Sequence, residues 1–169
     1  MITVAIVMGS LSDKEIAKEA ADTLGSYGVR TLTRVLSAHR TPVEAQAFAQ
    51  SLEAQGVGVV IACAGMAAHL AGAIAAHTVL PVIGVPVCSG NLGGMDALLS
   101  TVQMPPGIPI AAVAVNGAKN AALLAVEILA VRDEGLREKL HDERLRMRDK
   151  VLQADQALQI IIRDESGRV

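Results

Sequence analysis

Side chains able to act as acid, base or anion ligand gather in four short stretches of an otherwise apolar chain. They are Gly9-Ser10-Leu11-Ser12-Asp13, Ser37-Ala38-His39-Arg40-Thr41-Pro42, Ala64-Gly65-Met66-Ala67-Ala68-His69 and Cys88-Ser89-Gly90-Asn91-Leu92-Gly93-Gly94-Met95-Asp96. In the first, Gly9 permits a sharp turn, and Ser10 and Ser12 set hydroxyls beside the free amides of a helix start, which suits a phosphate. Asp13 would repel that phosphate unless a cation stands by, and Arg40 supplies one; the carboxylate can then accept hydrogen bonds from a ribose diol. The competing reading makes Ser12 or Asp13 a plain helix cap. His39 is the first candidate acid/base, because imidazole is the side chain best matched to proton transfer near neutrality.

His69 opens the segment that follows the third stretch. His77 lies two helical turns further on, roughly 12 Å away at 1.5 Å per residue, so the pair cannot chelate one metal. His77 reads as a helix C-terminal cap and His141 as solvent-facing. The glycine-rich stretch Ser89 to Gly94 is placed to close over a ligand, or is simply a strand-to-helix connection. Asn116 and Lys119 follow the fifth strand, where one could face the pocket or simply begin the last core helix; the cap is the simpler reading. Neither G-x-G-x-x-G nor G-x-x-x-x-G-K-[ST] occurs, so the dinucleotide and triphosphate loops are not expected.

The elements that must position these stretches follow from periodicity. Runs rich in Val and Ile recur at Thr3 to Met8, Thr31 to Leu36, Val57 to Cys63, Pro81 to Val87 and Ile110 to Val115, and read as buried strands. Helical segments alternate with them at Lys14 to Tyr27, Val43 to Gln55, Ala67 to His77, Met95 to Val102 and Ala118 to Val131; Ile16, Ala20, Leu24 and Tyr27 share one face of the first. Strict alternation with near-continuous apolar strands predicts an α/β fold: a doubly wound three-layer sandwich on a five-stranded parallel sheet, flavodoxin-like or Rossmann-like. All four polar stretches then follow strands. They fall on the one sheet edge where such folds bind ligands.

From Arg132 to Lys150 the chain alternates basic and acidic residues, and apolar Ile160 to Ile162 come near its end. This predicts a long helix with a solvated, ion-paired face, or one that packs a stripe through Leu136, Leu140, Leu145 and Leu152 on a neighbouring copy. The expected organisation is a single catalytic domain over residues 1–169, with 132–169 as a C-terminal helical extension.

At 169 residues the chain suits one core. It is 51% hydrophobic but carries no tryptophan, one tyrosine and one phenylalanine, so the core must be built from Ala, Val, Ile and Leu. So much small apolar surface favours a homo-oligomer. A net charge of -2 gives no reason to expect nucleic acid. Cys63 and Cys88 have neither zinc-site nor dithiol spacing. The chain opens on a strand-like run without a basic leader, and no apolar stretch reaches spanning length uninterrupted; a soluble cytoplasmic protein, with no membrane partner, is expected.

Taken together, Met8-Gly9-Ser10-Leu11-Ser12-Asp13, Ser37 to Pro42, Ala64-Gly65 with Ala67-Ala68-His69-Leu70, Gly84-Val85-Pro86-Val87 and Val102-Gln103-Met104-Pro105 resemble, in the same order, the N5-carboxyaminoimidazole ribonucleotide mutase family. The resemblance covers roughly Thr3 to Leu152. It implies an α/β domain assembled as an octamer, acting in purine synthesis without metal or organic cofactor. By the same resemblance His39 and His69 are the catalytic residues, and Ser10, Ser12, Asp13, Ser37, Arg40, Ala64, Gly65, Met66, Leu70 and Ser89 hold a ribonucleotide substrate. A sister class carboxylates aminoimidazole ribonucleotide directly with carbon dioxide; Arg40 and Ala68-His69 resemble the mutase pattern instead. Met66 stands where the usual third loop has glycine, and Ala71 where it has proline, which leaves open a paralogue with a shifted substrate. Two further readings stand beside these. One is a mononucleotide- or flavin-binding module, disfavoured for flavin by the lack of a ring to stack on it. The other is a small hydrolase with Cys63 or Cys88 as nucleophile and His39 or His69 as base.

Overall fold

The computed structural model describes residues 3–166, and side chains within them as far as 163. The chain divides into two compact units, Met1–Leu129 and Ala130–Val169.

The first unit is built on a five-stranded parallel sheet of order β2-β1-β3-β4-β5. Its strands are β1 (Thr3–Met8), β2 (Arg30–Val35), β3 (Val57–Gly65), β4 (Val82–Val87) and β5 (Ala111–Ala112). The helices between them are α1 (Lys14–Ser26), α2 (Pro42–Ser51), α3 (Leu70–Ala75), α4 (Met95–Val102) and α5 (Ala118–Ala130). One-turn 3-10 segments at Leu11–Asp13 and Gly90–Leu92 follow β1 and β4. β1 and β4 are buried along their whole length, because β-branched residues on both faces meet helices. Ala5, Val7, Val60 and Ala62 point to one face, where Phe48 and Leu52 from the α2 region and Leu70 and Ile74 of α3 cover them. The alternate residues Val4, Ile6, Val59 and Ile61 point the other way and are equally inaccessible. Each such Ile or Leu contributes about 1.5–3 kcal/mol on burial.

Two strands depart from the expectation of a buried run. β2 is the edge strand, and all of Arg30-Thr31-Leu32-Thr33-Arg34-Val35 except half-buried Leu32 is exposed. Its polar alternation is that of an edge, where charges discourage further pairing. β5 shrinks to two residues. Val113 still donates its amide to the Gly84 carbonyl at 3.1 Å, but the next donor the parallel ladder needs is the N–H of residue 86, which is Pro86 and has none.

The bounds of α4 coincide with expectation, those of the other helices fall within four residues of it, and α3 is the shortest. Its first turn is displaced because Met66 to His69 form a separate tight turn, in which the Ala68 amide donates to Met66 O at 2.9 Å and the His69 amide to Ala67 O at 2.7 Å.

The second unit contains α6 (Glu134–Ser166). Pairs three apart decorate its surface, Arg137 with Glu134 at 2.8 Å and Arg146 with Glu143 at 3.1 Å, and His141 is exposed as expected. Of the apolar stripe, Leu136 is buried and Leu140 half-buried, while Leu145 and Leu152 are exposed. Among the described residues no helix is long and apolar enough to cross a membrane.

Candidate functional site

The strand order reverses direction between β1 and β3, so the loops leaving their carboxyl ends part and open a crevice between them. The loop after β2 flanks it on one side and the loop after β4 on the other. A cavity of ≈ 490 Å³ occupies this place. All twelve residues named from the sequence as site residues line it: His39, His69, Ser10, Ser12, Asp13, Ser37, Arg40, Ala64, Gly65, Met66, Leu70 and Ser89; Gly9, Ala38 and Ala67 complete the wall.

The first loop separates the two readings of its polar residues. Ser10 Oγ accepts from the Ser12 amide at 3.3 Å and is the cap of the 3-10 turn. Asp13, at the N-cap of α1, makes no capping hydrogen bond; its carboxylate is buried and accepts from Ser12 Oγ at 3.0 Å. A buried carboxylate not spent on the helix is available to a ligand hydroxyl.

The second loop is a closed frame. Thr41 Oγ1 accepts from the Ser37 amide at 2.9 Å and donates to the Ser37 carbonyl at 3.1 Å, while the Thr41 amide donates to the same carbonyl at 2.8 Å. Pro42 then starts α2 at a position where a missing N–H costs nothing. Within the frame Arg40 donates from its amide and from Nε to Ser37 Oγ, each at 3.3 Å, and from Nη2 to the Gly9 carbonyl at 2.8 Å. The guanidinium thus ties the second loop to the first and brings a fixed positive charge to the pocket that Asp13 also lines, as the phosphate reading requires.

His39 and His69, thirty positions apart in sequence, lie with ring centroids 5.9 Å apart and planes 4° from parallel. Both are exposed to the cavity mouth. His69 is the N-cap residue of α3 but gives no side-chain cap, so its ring is free for other contacts. His77 lies apart from them, on a second cavity of ≈ 790 Å³ at the amino ends of the strands, with Gln50, Glu53 and Gly107. Among the described residues no group of three or more His, Cys, Asp or Glu is placed to hold a metal ion.

Gly65, at the end of β3, is required by close approach. A Cβ there would run into Ser89 Oγ and come within 3.1 Å of both Ser89 Cβ and the Val87 carbonyl. Among the described residues Ser89 Oγ, itself buried, has no hydrogen-bond partner. Asn116, for which the sequence offers a pocket residue or a helix start, does not line the cavity. It has a left-handed φ of 58°, and its Oδ1 accepts from the Cys88 amide at 2.8 Å, which anchors the loop that carries Ser89. Asn is among the few non-glycine residues that tolerate this conformation, a signal visible only once the backbone is known.

The cysteines diverge. Cys88 is exposed, whereas Cys63 is buried in β3, and burial first and the Asp13 charge second push its thiol up to about 12. Neither lines the cavity. A thiol that stays protonated is a poor nucleophile. Tyr27 and Phe48 are both buried and neither reaches the cavity, so neither stacks on a ligand there.

A five-stranded doubly wound sheet with a polar cleft at its switch point, holding serine hydroxyls, a carboxylate, a guanidinium and two histidines, defines the class: a small doubly wound α/β protein with an imidazole-bearing cleft at the ligand-binding edge of its sheet. Residues 3–150 match the family model described as AIR carboxylase, and the chain belongs to that family. It is similar to proteins named N5-carboxyaminoimidazole ribonucleotide mutase: 54% identical to that of Pyrococcus abyssi over 83% of this chain and 80% of the relative. It is 51% identical to that of Escherichia coli K12 over 89% and 90%. The crystal structure of Treponema denticola PurE superposes with a TM-score of 0.87 at 30% identity, covering 94% of this chain and 99% of that one.

Proposed function

We propose that this chain converts N5-carboxyaminoimidazole ribonucleotide to 4-carboxyaminoimidazole ribonucleotide. The observation that carries the reading is the pair of parallel histidines at the mouth of a cleft whose other wall is a serine, carboxylate and guanidinium set. Relatives that bear the mutase name at about half identity support it.

In this reading Ser10, Ser12, Ser37 and Arg40 bind the phosphate and Asp13 the ribose diol, which leaves the imidazole ring of the substrate near His39 and His69. His39 donates a proton to the exocyclic nitrogen as the N–C bond of the carbamate breaks and carbon dioxide leaves. Carbon C4 then attacks carbon dioxide, a C–C bond forms, and His39 takes up the proton that C4 must lose, so that no net proton is consumed. His69, stacked on His39, holds its orientation and shares in the proton transfer. Carbon dioxide retained in the cleft stays close to C4, where proximity replaces a bimolecular capture.

The single catalytic domain with its helical extension, the homo-octamer and the cytoplasmic location belong to the same proposal. Support for assembly is the apolar surface left open in each unit: Leu92 in the turn before α4 and Met95, Leu99 and Val102 on α4, and Val151, Leu158 and Ile160 to Ile162 on α6.

The test supplies purified protein with N5-carboxyaminoimidazole ribonucleotide alone and, separately, with aminoimidazole ribonucleotide plus bicarbonate, beside the His39→Asn variant. Product from the first substrate, lost in the variant, is expected. Product only from the second makes the chain a direct carboxylase; product from neither refutes the reading.

A further inference from the structure

Met66 combines two features that seldom coincide. Its φ of 56° lies in the left-handed region, a conformation that disfavours any residue with a Cβ, and its long apolar side chain is 62% exposed. A glycine would relieve the backbone and an exposed thioether gains nothing by burial, so folding stability alone gives no reason for methionine here. The turn that enforces the conformation also delivers His69, since the Ala68 amide returns to the Met66 carbonyl at 2.9 Å.

The side chain lines the cavity that contains His39 and His69. Leu70 is the other large apolar residue of that wall, and it is already buried. Met66 is therefore the one sizeable apolar group of the wall that remains free to move onto a ligand, and methionine has the three rotatable bonds and the polarizable sulfur to conform to a flat ring.

We propose that Met66 is the apolar cover of the site: on binding, its side chain folds over the substrate's imidazole ring, displaces water from the reacting carbon and holds released carbon dioxide against it. This rests on the mutase reading and assigns the residue that closes the pocket. The N–C bond breaks to give carbon dioxide and aminoimidazole ribonucleotide, with the proton placed on nitrogen. Escape of carbon dioxide at that moment leaves aminoimidazole ribonucleotide as a free product, and the cover determines how often that happens.

The experiment compares the parent with Met66→Gly, Met66→Ala and Met66→Leu in unlabelled substrate plus 13C-bicarbonate, following free aminoimidazole ribonucleotide, 13C in the product carboxyl, KM and kcat, with Tm measured in parallel. Glycine should melt at or above the parent temperature yet raise KM by roughly tenfold, the equivalent of losing one buried methionine side chain. It should also release aminoimidazole ribonucleotide and incorporate label. Alanine keeps the backbone strain without the cover, so it should leak like glycine while melting no higher than the parent. Leucine should retain most of the coupling. Glycine and alanine variants with parental KM and no label overturn the proposal, as does a change in oligomer size across the series, which would place Met66 in a subunit contact. A parent inert on the substrate refutes the mutase reading itself, and the cover with it; an active parent with unaffected variants refutes only the cover.

Discussion

Replacing Gly65 by alanine tests the packing that brings the third and fourth loops together. Gly65 is not among the positive-φ residues, so alanine suits its backbone and any cost must be steric. The new Cβ would overlap Ser89 Oγ, which could rotate away, but Ser89 Cβ and the Val87 carbonyl would remain at 3.1 Å. Neither can yield cheaply, since one is fixed to the backbone of a tight loop and the other lies at the end of a buried strand. Overpacking of this kind costs about 1–3 kcal/mol. For a chain of this size each kcal/mol lowers Tm by roughly 2–4 °C, so Gly65→Ala should fall by several degrees and raise KM as Ser89 is driven from its place. Ser89→Gly removes two of the three contacts, so the double variant should recover most of the loss. Thermal melts and steady-state kinetics on the two single variants and the double form a cycle. A coupling below about 0.5 kcal/mol, or a Gly65→Ala protein with parental Tm, would refute the reasoning.

The remaining predictions concern the anchor and the thiols. Asn116→Ala loses the hydrogen bond to the Cys88 amide and forces a Cβ-bearing residue without a compensating side chain into a left-handed φ. It should destabilise by about 1–3 kcal/mol, and Asn116→Gly by less, which urea melts would rank. With a thiol reagent at pH 8, one thiol should react in the native protein, exposed Cys88, and Cys63 only after unfolding, with turnover surviving modification of Cys88. Cys63 also sets an alkaline limit. Its folded pKa is raised from an ordinary 9.0 to about 12, so folding prefers the protonated thiol. That contribution is whole below pH 9 and is lost as pH rises toward 12, to a total of up to about 4 kcal/mol. Cys63→Ala should therefore show a shallower loss of stability between pH 9 and 11 than the parent, and parallel profiles would contradict the assignment.

How far the sequence foretold this molecule depends on how local the determining signal is. β1 and α4 have the bounds that periodicity predicts, because Thr3 to Met8 is apolar on both faces and Met95 to Val102 is bracketed by Gly94 and Gln103. The exposed β2 could have been separated from the interior strands, since Arg30, Thr31, Thr33 and Arg34 already read as an edge. β5 could not be bounded from its own residues, since its length is set by the donor missing at Pro86 in a different strand.

The site divides along the same line. Each polar loop was legible where it follows a strand, and parallel α/β topology then obliges the loops to share one edge, which is why residues from 9 to 89 meet in a single cavity. The parallel stacking of His39 on His69 is beyond periodicity, because it depends on where two separate loops turn. So does the role of Asn116, whose side chain reaches back 28 positions to the loop after β4. Both belong to turns whose backbone angles no hydrophobic pattern encodes.

The strained and unpartnered groups lie in loops that follow the carboxyl ends of strands. Met66 and Asn116 hold left-handed angles, and Ser89 Oγ is buried without a partner among the described residues, while β1 and β4 themselves are buried at every position. Strain of about 1–3 kcal/mol at such a residue persists only where the surroundings over-determine it. Here the surroundings are the rigid carboxyl ends of β3 and β4, which fix Gly65 against Ser89 and thereby the turn that holds Met66 and His69. The sheet thus serves the chemistry by supplying a base stiff enough to keep the Met66 turn in a conformation it would not adopt alone.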